Sequence, residues 1–310
     1  LAVVGLLFLD LLTHPLPAWQ LTRPSDYYPR TAIHDRLAAL SADPSAEPFR
    51  VYPVGGPYNT PFFKFNQGCV LQVENIKGES GFLLRDAGRY FNRIQGWPIN
   101  VKKRYAQFYG TMARTDNRLM DLLNVKYLIS DTPLSDPDAA LISSADGLYL
   151  YENRRCLPRA FFSKSIVRAE SLDKLFADIE QDSYDPRQIL YTLDDVQPAA
   201  GDMTGTVTTR RRGPNALHLT AESPSGGWLC VGDPCAPGWT ALVDGRERLK
   251  PVKVNALFQA YRIPAGRHEI RVSYVPNGFC TGLAATLAGI FLWLVTWGMA
   301  IIKNRASAAP

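Results

Sequence analysis

The sequence predicts an α+β protein. It should comprise an extracytoplasmic mixed α/β domain and an antiparallel β-sandwich, followed by one transmembrane helix and preceded by the end of a truncated one. Three observations predict this. Phe279 to Ile302 is a run of 24 residues without a charge. Residues 205–275 break into short alternating stretches separated by turn residues, the mark of an antiparallel sandwich. Residues 23–165 mix strand-like and helix-like stretches. The expected division is 1–22 (end of a membrane helix and exit segment), 23–165 (mixed α/β), 166–200 (helical linker), 201–278 (sandwich), 279–302 (membrane helix) and 303–310 (cytoplasmic tail).

The apolar run comes first in weight. At 1.5 Å per residue it spans the roughly 30 Å hydrocarbon core. Lys303 and Arg305 follow it, and by the positive-inside rule they put the C-terminus in the cytoplasm. Residues of about 13–277 are then extracytoplasmic. Trp293 and Trp297, one turn apart, share a helix face. The chain opens at Leu1 with nine residues free of charge before Asp10, too few to span. With no Met and no basic stretch ahead of it, this is expected to be the outer end of a membrane helix, with further helices upstream, rather than a signal peptide.

The other elements follow in order. Thr31 to Ala42 places Ile33, Leu37 and Leu40 at helical spacing, and Pro44 and Pro48 end it. Phe49 to Val54 is a strand closed by Gly55-Gly56-Pro57, residues 57–68 form a packed loop, and Val70 to Ile76 is a second strand. Thr115 is expected to cap a helix through Leu123, leading into a buried strand over Asn124 to Ser130. Leu148 to Glu152 and Arg159 to Ser163 are further strands. Ser171 to Gln181 carries Leu172, Leu175, Phe176 and Ile179 at helical spacing, and Ile189 to Leu193 is extended. In the sandwich, Ala216 to Ala221 and Trp228 to Val231 are strands. Trp239 to Val243 meets Asp244-Gly245, a type I′ hairpin signal, and Arg246 to Val254 returns. Ala256 to Ile263 precedes the turn at Pro264 to Arg267. His268 to Val275 then puts His268, Ile270, Val272 and Tyr274 on one face.

Composition sets the outer limits. With 310 residues, 46% hydrophobic and 20% charged, the chain can bury a core, and disorder, collagen and a small disulfide scaffold are excluded. The mean hydropathy of −0.12 averages a polar region with a membrane span. The net charge of +5 includes Lys303 and Arg305 and is no nucleic-acid footprint.

The residues with chemistry are few. Cys230 and Cys235 flank a Pro-containing turn and can pair, or Cys230 is a small core residue. Trp228 and Trp239 can stack on a sugar or fill the core. Arg154, Arg155 and Arg159 can hold a phosphate or acidic sugar, or lie in a solvated loop. Asp136, Asp138, Asp194 and Asp195 are expected to be solvated loop charges. Arg210-Arg211-Arg212 is an exposed hairpin end that can touch anionic head groups. The four histidines are scattered, with His268 expected on a packed face. No motif for phosphate, dinucleotide or zinc binding or for a nucleophile elbow occurs, and no cofactor or metal is expected.

Several phrases in order resemble the C-terminal region of the bacterial YfhO family of polytopic membrane proteins. They are Leu122 to Ile129 (LLNVKYLI), Leu148 to Asn153 (LYLYEN), Leu157 to Phe161 (LPRAF), Asp185-Pro186, Pro237 to Gly245 (PGWTALVDG), Val254 to Ala260 (VNALFQA), Pro264 to His268 (PAGRH) and Tyr274-Val275-Pro276. A departure lies at Gly232 to Ala236 (GDPCA), where the family usually has Ser-Asp and aromatic residues. The resemblance implies a GT-C-like helical core and a transferase that takes sugars from polyprenyl-phosphate carriers outside the membrane. Its partners would be the bilayer, the polyprenyl-phosphate sugar and an envelope glycan acceptor. In GT-C enzymes the catalytic carboxylate belongs to an early extracytoplasmic loop, so the resemblance carries no catalytic role over to a residue of this chain. The alternative is a non-catalytic membrane-anchored glycan-binding or scaffold module for envelope assembly.

Overall fold

The computed structural model describes residues 28, 30–54, 63, 67–76, 84–99, 115, 117–196, 204–211, 213 and 215–307. The expected N-terminal membrane-helix end and most of the 57–68 loop lie outside them. The chain divides into two compact units, and the second draws residues from three stretches of sequence.

The first unit holds 1–81, 107–117 and 125–156. Its helix α1 (Ala32–Ala42) begins at Thr31, where the His34 ring and the Thr31 backbone close a capping box. A five-stranded sheet has the order β2-β1-β3-β5-β4. These strands are β1 (Arg50–Pro53), β2 (Glu74–Asn75), β3 (Val125–Ser130), β4 (Ala139–Ala145) and β5 (Leu148–Asn153). β1 runs parallel to β2 and β3, while β5 runs antiparallel to β3 and β4. Ile33 and Leu37 of α1 pack on Val51, Tyr127, Ile129, Leu148 and Leu150. The apolar stripe of α1 is thus the lid on one sheet face. The expected strand over Val70 to Ile76 is corrected: Gln67–Leu71 is a short helix, α2, and only Glu74–Asn75 pairs. Gln72 takes φ 55 between them, which stops the helix. The sequence reading also missed β4. Asp146-Gly147, with φ 54 and 73, is the turn that joins it to β5.

The second unit is a β-sandwich with helices against one sheet. Its elements are α3 (Arg85–Ile94), α4 (Arg118–Leu122), β6 (Ala160–Ser163), β7 (Ser165–Arg168), α5 (Leu172–Ile179), β8 (Ile189–Thr192), β9 (Thr206–Arg211), β10 (Ala216–Ser223), β11 (Gly227–Val231), β12 (Trp239–Val243), β13 (Glu247–Leu249), β14 (Val252–Val254), β15 (Phe258–Ile263), β16 (Gly266–Tyr274) and α6 (Phe279–Ser307). One sheet has the order β13-β12-β16-β10-β9 and the other β14-β15-β11-β6. Alternate residues of both sheets meet in the middle: Phe162, Leu217, Leu219, Leu229, Val231, Ala241, Val243, Tyr261, Ile263, Ile270 and Val272 are all buried there. β7 and β8 form a separate parallel pair.

Two features of the sandwich depart from a simple meander. β6 pairs with β11 although 63 residues, 164–226, lie between the end of one strand at Ser163 and the start of the other at Gly227. The expected return strand over Arg246 to Val254 is two strands in different sheets, β13 beside β12 and β14 beside β15. The break falls at Lys250-Pro251, and Pro251 has no N–H with which to continue a ladder.

The outer face of β11 and β15 is covered by the helices. Tyr90 of α3 meets Phe258 edge-on at 5.4 Å and lies 5.9 Å from Phe176 of α5. Its hydroxyl donates to the Leu119 carbonyl at 2.9 Å. Arg93 clamps Glu180 at 2.8 Å and 2.5 Å, and Lys253 meets Asp86 at 2.7 Å. Ser171 caps α5 by accepting from the Lys174 N–H.

α6 follows Pro276-Asn277-Gly278. Phe279–Ile301 is apolar and long enough to cross a membrane, and none of it is buried in the protein. Trp293 and Trp297 stack at 5.9 Å on one face. The Thr286 and Thr296 hydroxyls donate back to the Gly282 and Trp293 carbonyls, so neither enters lipid unsatisfied.

Candidate functional site

The residues with chemistry separate into three places, two in the second unit and one in the first. The first place is the end of the β6–β11 ladder. Val231 stands opposite Ala160, and the Gly232 N–H donates to the Arg159 carbonyl at 2.8 Å. This puts Arg159 and Asp233 side by side. Arg159 is 1% exposed, and its Nη2 lies 2.9 Å from Asp233 Oδ1. Burial pulls the guanidinium below its ordinary pKa, and the adjacent Asp233 carboxylate opposes that shift. The guanidinium stays charged in any case. The solvated-loop alternative for Arg159 does not describe this residue: it is a core ion pair.

Cys230 lies on the same strand, 1% exposed, with Phe161 as its register partner. Burial raises its thiol pKa strongly. Cys235 is half-buried, its N–H donates to Leu257, and burial pushes its thiol up to about 11. The two are separate thiols in the structure. Trp228 is the second residue of the same strand, buried, with Arg262 of β15 5.9 Å from its ring centroid. Its face is taken by a protein cation, and a sugar would have to displace that contact.

The second place is the end of the sandwich from which α6 departs. Trp239 of β12 and Tyr274 of β16 are register partners with ring centroids 5.3 Å apart. Trp239 packs on the sandwich core with part of the ring exposed. Gly238 positions it: its φ is +117, and a Cβ there would sit 2.3 Å from the Val275 carbonyl. Of the candidate residues, Trp239 is the one that combines an aromatic surface with access to solvent. Apart from these places, at the far end of the same strands, His268 Nδ1 lies 2.7 Å from Asp244 Oδ2.

In the first unit, Arg155 closes the 136–138 loop. Its Nη1 donates to Asp136 at 3.1 Å and Asp138 at 2.6 Å, and its Nη2 donates to Asp136 at 3.0 Å and to the Thr115 carbonyl at 3.0 Å. Thr115 donates its hydroxyl to Asp136 at 2.6 Å, so it serves this loop rather than capping a helix as expected. The Arg155 bonds are the main cause that lowers Asp136 to about 2. These carboxylates are therefore locked ion-pair members, where the sequence reading had solvated charges. Sequence spacing gave no sign of Asp233 as the partner of Arg159, because one precedes β6 and the other follows β11, and only the pairing of those strands brings them together.

Among the described residues no group of three or more His, Cys, Asp or Glu is placed to hold a metal ion.

Residues 199–286 match the family model described as "Bacterial membrane protein YfhO". No curated protein and no solved structure matches the chain. The matched stretch contains the Pro237 to Gly245 and Pro264 to His268 phrases and ends inside α6, whereas the phrases between Leu122 and Phe161 lie before it. The match covers the sandwich strands β9 to β16 and the first turns of α6, so this region is similar to the corresponding part of that bacterial membrane protein family.

Proposed function

We propose that this chain is the C-terminal, extracytoplasmic part of a multi-pass membrane transferase, one that moves sugars from polyprenyl-phosphate carriers onto an envelope glycan. In this reading the sandwich recognises the acceptor and α6 holds it at the membrane. The observation that carries the proposal is the family match running without a break from β9 into α6. It supports reading strands β9 to β16 and the membrane helix as one inherited unit, with the sandwich working at the surface of the bilayer. Lys303 and Arg305 after the span support a cytoplasmic C-terminus and an outward-facing sandwich.

The half-exposed Trp239, paired with Tyr274 two residues before the Pro276-Asn277-Gly278 linker, offers an aromatic platform where a lipid-linked substrate is presented. The catalytic carboxylate of such a transferase lies outside this chain in the proposal.

Two experiments test it. A reporter fused after Pro310 should be active in the cytoplasm, and activity only outside the cell would overturn the orientation. Membranes carrying the full-length protein should transfer labelled sugar from a polyprenyl-phosphate donor, and Trp239→Ala should raise the acceptor KM with little change in kcat. Full glycan binding without transfer, in the presence of every upstream helix, would establish the non-catalytic scaffold in its place.

A further inference from the structure

The outer face of the β13-β12-β16-β10-β9 sheet carries its charges in two separate halves. Strand register places Arg248, Leu242, Arg271, His218 and Arg210 in one row across all five strands. With strands about 4.8 Å apart, the row is about 19 Å long. Arg210, Arg248 and Arg271 are exposed, and so is Lys250 just past β13. Arg248 leans toward the end where α6 departs, with its Nη1 3.5 Å from the Thr240 hydroxyl. From this row to Tyr274, strands β9, β10, β12, β13 and β16 contain no carboxylate. The carboxylates of the face lie on the other side of the row. Glu269 accepts from Thr220 at 2.9 Å, Glu222 stands opposite Arg267, and Asp244 sits in the far turn.

This division does not serve the stability of the sheet. Cross-strand pairs stabilise when their charges are opposite, yet the register neighbours of Arg271 are Leu242 and His218. Among the described residues none of Arg210, Arg248, Lys250 and Arg271 makes an ion pair. A row of exposed cations with no carboxylate beside it is a surface complementary to an anionic one outside the sheet. The chain itself names that surface. Arg271 precedes Tyr274 by three residues, about 10 Å along the strand, and Phe279 opens the membrane helix. Tyr274 and Trp239 occupy the same end of the sheet, and Val275 and Phe279 expose apolar side chains there. Aromatic residues of this kind mark the interface level of a membrane protein.

We propose that this half of the sheet face docks on anionic phospholipid head groups, with Arg210, Arg248, Lys250 and Arg271 as the contacts. Docking holds the sandwich at a fixed inclination to the bilayer. The proposal rests on α6 crossing the membrane and not on transferase activity. It concerns residues other than Trp239.

The test uses the full chain in nanodiscs, made either of phosphatidylcholine alone or of phosphatidylcholine with phosphatidylglycerol. Hydrogen exchange is followed at β9, β10 and β12–β13. The expected result is slower exchange in these strands on the anionic discs, reversed by high salt. Each basic contact near an anionic surface is worth about 1 kcal/mol, about a fivefold change in the docked-to-undocked ratio. The triple variant R210Q/R248Q/R271Q should therefore lose the effect by about a hundredfold. R210K/R248K/R271K should retain it, which separates loss of charge from misfolding. Equal exchange on both disc types would overturn the proposal, as would an effect that survives the triple glutamine variant. Protection produced on neutral discs by soluble poly(glycerol phosphate), and not by phosphatidylglycerol, would reassign the face to an anionic polymer. A transferase assay that fails while the lipid effect stands would leave this docking in place and remove only the proposed activity.

Discussion

Asp244 and His268 tie the tip of the β12–β13 hairpin to β16. His268 Nδ1 lies 2.7 Å from Asp244 Oδ2, while Asp244 Oδ1 accepts the Glu269 N–H at 2.9 Å. The backbone completes the joint, since the Asp244 N–H donates to the Glu269 carbonyl at 2.8 Å. Asp244 and Gly245, at φ 50 and 68, are the type I′ turn that the sequence announces. The same Asp is both the turn residue and the acceptor for the next strand.

This joint makes stability depend on pH. The hydrogen bond to Asp244 raises the His268 pKa above 6.5, and the bond to His268 lowers that of Asp244 below 3.8. The raised histidine contributes fully below pH 6.5 and loses its contribution as pH rises through its folded pKa. The lowered aspartate contributes above 3.8 and loses its share as pH falls through its own folded value. The pair is therefore at full strength between about pH 4 and 6.5. Thermal unfolding of the full chain in nanodiscs should show His268→Gln lowering the midpoint at pH 5.5, and lowering it much less at pH 8.5. An equal loss at both pH values would remove the charged pair as the cause.

The buried Arg159–Asp233 pair should respond differently. Removing one partner leaves the other charge buried, at a cost of about 3–5 kcal/mol. Arg159→Met alone should therefore lower the denaturant midpoint sharply. R159M/D233L replaces both charges with apolar groups and should recover most of the loss. Arg248→Gln, on the open face, should stay within about 0.5 kcal/mol of the parent. If the double variant is no more stable than the single one, the interaction is not the reason Arg159 matters.

These residues also show what the sequence could and could not tell. The period-2 alternation of His268 to Tyr274 is local, so its inward face was legible, and so were the Asp244-Gly245 turn and the span of α6. Pairing is a property of the sheet and not of a window. The neighbourhood of Arg159 depends on β6 joining β11 across a long intervening segment, and nothing near Arg159 carries that information. Arg155 failed for a similar reason, since Asp136 and Thr115 reach it only after the chain has turned back on itself. The helix α3 was missed because its apolar positions Ala87, Tyr90 and Ile94 are sparse and sit among charges. The split of β13 from β14 hinges on Pro251, a breaker present in plain sight.

Gly238 and Gly245 both have positive φ, yet their substitutions should differ. At Gly245 (φ +68) a Cβ meets nothing within 4 Å. Gly245→Ala then costs about 1–2 kcal/mol, the left-handed backbone penalty alone. At Gly238 (φ +117) the added carbon would also drive into the Val275 carbonyl at 2.3 Å and the Tyr274 ring at 3.1 Å. The Val275 N–H donates to the Gly238 carbonyl, so relief of the clash breaks the pairing that seats Trp239 on Tyr274. Gly238→Ala should cost clearly more than Gly245→Ala in denaturant unfolding and should shift the tryptophan emission, which Gly245→Ala should leave alone. Equal costs would show that Val275 gives way freely.

The thiols give a direct chemical check on the β11 environment. Cys69 is exposed, Cys230 is closed inside the protein, and Cys235 is half-buried with its thiol pushed up to about 11. The thiolate is the reacting form, so at neutral pH both Cys230 and Cys235 should resist a maleimide that modifies Cys69 readily. Peptide mapping after brief labelling should find Cys69 modified and Cys230 modified only after denaturation. A peptide pair joined through Cys230 and Cys235 under non-reducing conditions would show that the loop closes on itself in the native protein.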